Sequence, residues 1–381
     1  MFFKLRGTNS NQENEYTSFI KYLVSCYQSI HSNILINMDN KNYIETRIKY
    51  YLGDIYDKSD VKPCNEYINV DILLNNMDET RQKYPTGIFE HGIYSNMICK
   101  LTLSGLKALN IYISGYTKHI IPYLEAFSLQ NKYLLYLIGD VEKTIDDYYF
   151  TKIRIEGCKK PIIIKAANIN RHWGVIHSKE VFNSDIPFFR KKGVALWRGA
   201  TTGQPNRIAN RFDLVTSYFG STNPKINIGF SNIAWGTVDT SGNIINYNNY
   251  RSYVKGKMTI KQQLEYKYLI SVDGNDKSSS INWQLASNSL VFMVKPTKIS
   301  WLMEDRLIPN VHYIQLKDDF SDLEEKLDWC EQNPIKCQEI VNNSTQYMSH
   351  FYQDDREKYI EAQVIMIYLR KMNFSKISFT N

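Results

Sequence analysis

A chain of 381 residues, 43% of them hydrophobic, has apolar surface enough for more than one core, and its length favours two or three domains. Charged residues at 22%, with 18 glycines and 10 prolines, exclude a disordered or fibrous polypeptide. The net charge of +7 suits nucleic acid, an anionic membrane surface or a phosphorylated small ligand, but Lys and Arg never gather in a block of five, which argues against the first.

The first sixteen residues hold one apolar pair, Phe2-Phe3, and no secretory h-region. Later apolar runs such as Leu134-Leu135-Tyr136-Leu137-Ile138 fall far short of the ~20 residues that span a bilayer. Six cysteines form no CxxC pair and seven histidines no HExxH motif, so no zinc knuckle, metal centre or disulfide framework is expected, and the chain reads as reduced and intracellular. The 28 tyrosines, 17 phenylalanines and 6 tryptophans offer stacking faces for sugars or bases, and equally serve ordinary packing.

In chain order, Phe19, Leu23, Tyr27 and Ile30 predict a helix over 16–36, and Ile72, Leu73 and Met77 another over 70–83. Tyr112 to Tyr116 reads as strand or turn, and Ile121 to Ser128 as helix. Lys132 to Ile138 predicts a buried strand ending at Gly139-Asp140; Pro161 to Ile164 predicts a second, leading into a polar loop over 166–173. These runs suggest a parallel sheet with ligand loops at its carboxyl edge.

The second half has a clearer rhythm. Gly193 to Trp197 predicts a strand feeding the loop Arg198 to Gly203; a helix follows over 207–219, carrying Ile208, Phe212, Val215 and Phe219 on one face. Strands are predicted at Ile226 to Phe230, at Tyr268 to Val272, at Ser289 to Met293 and at Val311 to Leu316, with an insertion over 231–258 and a helix over 259–267. Ser321-Asp322-Leu323-Glu324 reads as a capping box for a helix that Asn333-Pro334 ends, and 337–372 as a helical tail that kinks and lies back on the first domain. Repeated strand, loop and helix units predict an α/β doubly wound sheet.

Three polar loops follow strands of this half. Arg198-Gly199-Ala200-Thr201-Thr202-Gly203 has a guanidinium fork, hydroxyls and glycines that suit phosphate, or it is an ordinary polar turn. Asp273-Gly274-Asn275-Asp276-Lys277-Ser278-Ser279-Ser280 suits ribose or sugar hydroxyls, or it is a capped turn; Lys295-Pro296-Thr297 is the third.

These segments carry a resemblance. Ala195 to Gly203, Asn210-Arg211-Phe212, Tyr266 to Asp276 and Leu285 to Val291 closely resemble glycosyltransferase family 90, which includes lipopolysaccharide-modifying and capsule-associated transferases and protein O-glucosyltransferases. Pro309 to Tyr313 and Leu316 to Leu323 extend the likeness to about residue 335, and it is thin before 190.

The resemblance implies a GT-B architecture, two Rossmann-like domains facing across a cleft, and an inverting, metal-independent enzyme that uses a UDP-sugar and holds no permanent cofactor. It implies an acceptor-side domain over 1–188, a nucleotide-sugar domain over 189–336 and a helical segment over 337–381 packing back on the first. Donor contacts are then expected from Arg198, Gly199, Thr201, Thr202, Arg211, Asp273, Gly274, Asn275, Asp276, Lys277, Ser280 and Lys295. Thr201 stands where eukaryotic relatives often carry a second arginine, and Asn282 where bacterial-type relatives usually have a basic residue before the tryptophan, here Trp283.

An inverting transfer needs a carboxylate opposite the leaving phosphate. Asp140, at the end of the best strand of the first half, resembles the family's strand-terminal aspartate, with Asp146 and Asp147 as fallbacks. The expected partners are the nucleotide-sugar and a glycan or lipid-linked glycan, such as lipopolysaccharide or another surface glycan, and no nucleic acid. The expected location is the cytoplasm, with peripheral contact at the inner face of the membrane. Two other readings stay open: a nucleotide-dependent oxidoreductase, which the missing GxGxxG disfavours, and a non-catalytic carbohydrate or nucleic-acid binding protein.

Overall fold

The computed structural model describes residues 38–61, 68–69, 74, 78, 98–126, 133–141, 145–168, 184–234 and 246–372. The helix expected over 16–36 lies outside the described residues, as does nearly all of that over 70–83.

The first half opens with α1 (Met38–Leu52) and continues through β1 (Ile68–Asn69), β2 (Ile98–Leu101), α2 (Leu103–Thr117), α3 (Ile121–Ala126), β3 (Leu134–Leu137), β4 (Phe150–Thr151), β5 (Ile153–Ile155) and β6 (Ile162–Ile163). Its sheet has the order β1-β2-β3-β4-β6. The pairs β3 with β4 and β4 with β6 are parallel, as is β1 with β2, but β2 and β3 run antiparallel, from Ile98 against Leu137 to Leu101 against Leu134. The two runs expected as strands, β3 and β6, are thus parallel to β4 between them, as the sequence suggests; the sheet becomes mixed through β2, a strand not anticipated, which two helices, α2 and α3, separate from β3, where a parallel crossover commonly has one. Tyr112 to Tyr116 belongs to α2, neither strand nor turn. The buried recurrence of Leu103, Leu106 and Leu109 sets the helical period there and overrides the local β-rich composition.

The second half contains β7 (Lys192–Ala200), α4 (Arg211–Tyr218), β8 (Ile226–Asn232), α5 (Ile260–Gln263), β9 (Tyr266–Ile270), α6 (Ile281–Leu285), β10 (Leu290–Met293), β11 (Lys298–Ser300) and β12 (Ile314–Gln315). Five of these strands form a sheet of order β12-β10-β9-β7-β8 in which every pair is parallel. Continuous buried runs, Leu290 to Met293 and Tyr268 to Ile270, mark central strands covered on both faces.

Several boundaries differ from the sequence reading. β7 runs on through Arg198, Gly199 and Ala200, paired with Gly229, Phe230 and Asn232 of β8, so the loop starts at Thr201. The helix expected from 207 starts at Arg211, because the Asn210 side chain accepts from the backbone N–H groups of Phe212 and Asp213; Ile208 lies outside it and is exposed. The helix over 259–267 shrinks to α5, started by a Thr259–Gln262 capping box, and Tyr266-Lys267 joins β9. Of Val311 to Leu316 only β12 is strand.

The capping box at 321–324 does not form. Asp322 spends its carboxylate on the Lys317 N–H at 2.9 Å, ahead of α7 (Leu323–Gln332). Pro334 both stops that helix and opens α8 (Pro334–Ser349), so the tail starts before 337; it breaks once more before α9 (Asp354–Lys371).

Cys337, Ile340 and Val341 of α8 join the core of the second sheet, whereas Ile360, Val364, Ile365 and Tyr368 of α9 join that of the first. A buried polar cluster locks α9 to α1. Arg47 pairs with Glu357, its Nη2 also donating to Tyr51 Oη at 2.6 Å; Tyr51 donates to the Trp301 carbonyl at 2.7 Å, and the Trp301 indole N–H donates to Glu357 at 2.6 Å. The Tyr51 and Trp301 rings stack 3.8 Å apart. An antiparallel pair, β11 with β5, adds a second seam between the halves. Among the described residues no helix is long and apolar enough to cross a membrane.

Breaking a buried ion pair strands its partner. Glu357→Ala should therefore lower the unfolding free energy by about 3–5 kcal/mol, measured by urea titration; a loss below about 1 kcal/mol, the range of surface pairs, would show that the cluster does not hold α9 in place.

Candidate functional site

Along the second sheet the strands occur in chain order second, first, third, fourth, fifth, so the direction of winding reverses between β7 and β9. At such a reversal the loops leaving adjacent strands diverge and open a crevice at their carboxyl ends. The crevice here has a volume of about 390 Å³ and is lined by the segments after β7, β9 and β10.

Arg211 ties two of these segments together. Its guanidinium donates to the Ala200 carbonyl at 3.0 Å, to Thr202 Oγ1 at 2.5 Å, to the Asp273 carbonyl at 3.0 Å and to the Val272 carbonyl at 3.2 Å. Burial pulls its pKa down to about 10. A second tie runs from the Gly203 N–H to Asn275 Oδ1 at 2.7 Å, while the Gly203 carbonyl accepts from Tyr247 Oη at 2.6 Å. Gly203 has a φ of +99°, which favours glycine. Gly274 is needed for a different reason: a Cβ there would stand 2.6 Å from Thr202 Oγ1 and 3.0 Å from Arg211 Nη2.

Of the residues expected to touch a donor, Arg211, Asp273, Gly274, Lys277 and Lys295 line the crevice. Burial raises the Asp273 pKa, although its Oδ1 accepts from the Ser278 N–H at 2.8 Å. Lys277 reaches Glu304 at 2.6 Å, Ser300 Oγ at 2.8 Å and Asn282 Oδ1 at 3.0 Å, so an ammonium occupies the neighbourhood of Asn282. Lys295 pairs with Glu156 of the first half at 2.9 Å.

The other expected donor residues lie outside the lining. Arg198 sits within β7 and donates to the Asn227 carbonyl at 2.9 Å and to Asn227 Oδ1 at 2.7 Å on β8. Gly199 leaves room for the Trp197 ring, which a Cβ would meet at 2.6 Å. Thr201 accepts from the Ala234 N–H at 2.9 Å, and the Ser280 hydroxyl lies 2.9 Å from that of Ser278. Thr202 and Asn275 act through the ties described. The positive end of α4 is also engaged, since Asn210 caps its first free N–H groups.

Sequence reasoning missed Arg207, Lys298 and Glu304, which line the crevice. Arg207 was hidden inside an overlong helix, although Gln204-Pro205-Asn206 reads as a turn; Lys298 and Glu304 belong to β11 and a short helical turn with no periodic signal. In all, five basic and three acidic side chains surround the crevice, which favours an anion.

Asp140 follows β3 across Gly139, whose φ of +98° turns the chain sharply. Its carboxylate accepts from Lys152 Nζ at 2.5 Å, and the same ammonium meets Asp276 Oδ2 at 2.7 Å. Lys152 follows β4 and Asp276 belongs to the loop after β9, so the carboxyl ends of strands from both sheets converge on one ammonium. Burial would lower the Lys152 pKa, but the Asp140 and Asp276 carboxylates outweigh it and raise the pKa. Asp140 itself is buried and does not line the crevice. Asp146 pairs with Lys160 at an exposed position, and Asp147 accepts from the Tyr148 N–H. The two-residue β4 gave sequence reasoning no period by which to find Lys152. Among the described residues no group of three or more His, Cys, Asp or Glu side chains could hold a metal ion.

The family model described as Glycosyl transferase family 90 matches residues 163–375. O-glucosyltransferase LpsA of Dichelobacter nodosus is 29% identical over 257 residues, 67% of this chain and 72% of that protein. Protein O-glucosyltransferase 1 of Rattus norvegicus is 34% identical over 98 residues, 26% of this chain and 25% of that one. Uncharacterized protein 179R of Invertebrate iridescent virus 6 is 32% identical over 130 residues, 32% of this chain but 10% of its own length. The chain thus spans most of the first relative and a quarter or less of the other two.

Because Gly274 lets the two loops touch, Gly274→Ala should force them apart at a cost of about 1–3 kcal/mol, measured as a lower melting temperature. An unchanged melting temperature would mean that the contact between the loops is dispensable.

Proposed function

This chain belongs to glycosyl transferase family 90, and from that premise we propose that it transfers a sugar from a UDP-sugar, seated in the crevice at the β7/β9 reversal, to a glycan hydroxyl with inversion. The glucosyltransferase names of its relatives make UDP-glucose the first donor to try. The observation that carries this reading is the convergence at Lys152, which sets a first-half carboxylate beside the loop that floors the crevice. A GT-B arrangement has that form, with an acceptor-side domain over 1–188, a donor-side domain over 189–336 and the remaining 337–381 as a helical segment.

In the reaction, the acceptor oxygen forms a bond to the anomeric carbon as the bond from that carbon to the UDP oxygen breaks. The bonding pair leaves on the diphosphate, and the acceptor proton passes to Asp140. Arg207 and Lys298, which line the crevice and also donate to the Asn275 carbonyl at 3.3 and 3.0 Å, stabilise the charge that accumulates on the diphosphate. These side chains supply the neutralisation a metal would otherwise give, so the transfer is read as metal-independent.

The acceptor is a surface glycan, lipopolysaccharide among the options, and the enzyme works in the cytoplasm at the inner face of the membrane. The charge of +7 supports such contact. The protein should then sediment with vesicles containing anionic lipid at low ionic strength and leave them in high salt; failure to sediment would make a freely soluble acceptor the better reading.

Titration with UDP-glucose separates the roles. Asp140→Asn should bind it normally and lose at least ~100-fold in turnover, whereas Arg207→Ala should lose at least ~10-fold in affinity. Loss of affinity in Arg198→Ala but not in Arg207→Ala would move the diphosphate to the end of β7. Near-normal turnover by Asp140→Asn would remove its role as base, and loss in Asp146→Asn instead would relocate it.

A further inference from the structure

Three buried charges meet where the two sheets converge. Asp140, Lys152 and Asp276 have side chains only 5%, 5% and 6% exposed, and they carry two negative charges against one positive. A buried carboxylate without a counter-ion takes up a proton instead of staying charged. The ammonium prevents this, but it serves two acids at once.

We propose that Lys152 is a positioning residue for the transfer: its ammonium keeps Asp140 ionised and aimed, and Asp276 limits that hold so that Asp140 stays basic enough to accept a proton. The role rests on the reading of Asp140 as the base. Each partner comes from a different element. Asp140 stands after β3, Lys152 after β4 and Asp276 after β9, while the Tyr116 ring of α2 lies 5.2 Å from the ammonium and Tyr136 of β3 also faces its charge.

Asp276 ties the arrangement to the crevice. Its other carboxylate oxygen accepts from the Lys277 N–H at 2.8 Å, and its carbonyl accepts from the Gly274 N–H at 2.8 Å; Lys277 and Gly274 both line the crevice. A donor that shifts this loop changes how much of the ammonium Asp276 takes, and with it the basicity of Asp140.

Two substitutions move Asp140 in opposite directions. With Lys152→Met the carboxylate loses the positive charge 2.5 Å away, so its protonation midpoint should rise by about one to three pH units. With Asp276→Asn, which keeps the shape, Lys152 serves Asp140 alone and the midpoint should fall. The midpoint is read on the full chain by carbon NMR of labelled aspartate carboxyls, with Asp140→Asn identifying the signal. The acid limb of UDP-glucose turnover should follow the same shifts, Lys152→Arg should bring it back towards the native position, and UDP-glucose affinity should change less than about twofold in Lys152→Met.

An unmoved midpoint in both variants, or a rise in Asp276→Asn, overturns the proposal while leaving Asp140 free to be the base. If Lys152→Met does not fold, the sign of the Asp276→Asn shift decides. Collapse of UDP-glucose affinity in a folded Lys152→Met would make Lys152 a support for the donor loop instead. Midpoints that shift as expected while Asp140→Asn turns over normally would refute the base assignment, and the role of Lys152 with it.

Discussion

The constraint on which the candidate site depends is the reversal of strand order between β7 and β9. Parallel strands joined by crossovers send all their carboxyl ends to one edge, and only where the winding changes direction do two neighbouring loops part. Arg211 and Asn275 then set the width of the opening by bonding the loops at their base, and Gly274 gives up its side chain so that they can touch there. Because these ties already use backbone carbonyls and the Asn210 cap already uses the start of α4, the charge offered to an anion comes from the side chains that line the crevice.

The two halves are joined by contacts of different kinds. The β5 and β11 ladder is backbone pairing, the Arg47, Glu357 and Trp301 cluster is a hydrogen-bonded ion pair under stacked rings, and Lys152 is an ammonium shared by acids from both halves. The first two hold the structure together. The third lies at the sheet edges and costs desolvation that two carboxylates offset.

Much of the second sheet was legible in the sequence because its central strands are uninterrupted buried runs with polar loops behind them, as at Leu290 to Met293. The first sheet was less so. Its β4 and β6 are two residues long, too short to show a period, and the β2 and β3 pairing depends on helices whose count cannot be read from either strand. The residues of the crevice divide in the same way. Asp273, Gly274 and Lys277 follow a strong strand and were found, while Arg207 was lost in a helix that Asn210 starts four residues later than the apolar pattern suggested. The boundary at Arg198 errs the other way, since β7 keeps its register with β8 through Arg198 and Gly199, in a motif that reads as loop.

The pairing of Arg47 with Glu357 spans 310 residues, and this bears on the order in which the protein is made. The second sheet closes its core with residues between Phe188 and Val341, a contiguous stretch that can fold as it leaves the ribosome. The first sheet is synthesised earlier but lacks α9, so its apolar face waits while the intervening chain is translated, on the order of tens of seconds at ordinary elongation rates. During that interval the nascent first half presents Leu135, Phe150 and Ile163 without the helix that later shares their core. A chaperone that shields emerging apolar surface would thus matter more to the yield of this protein than the final stability of either core suggests.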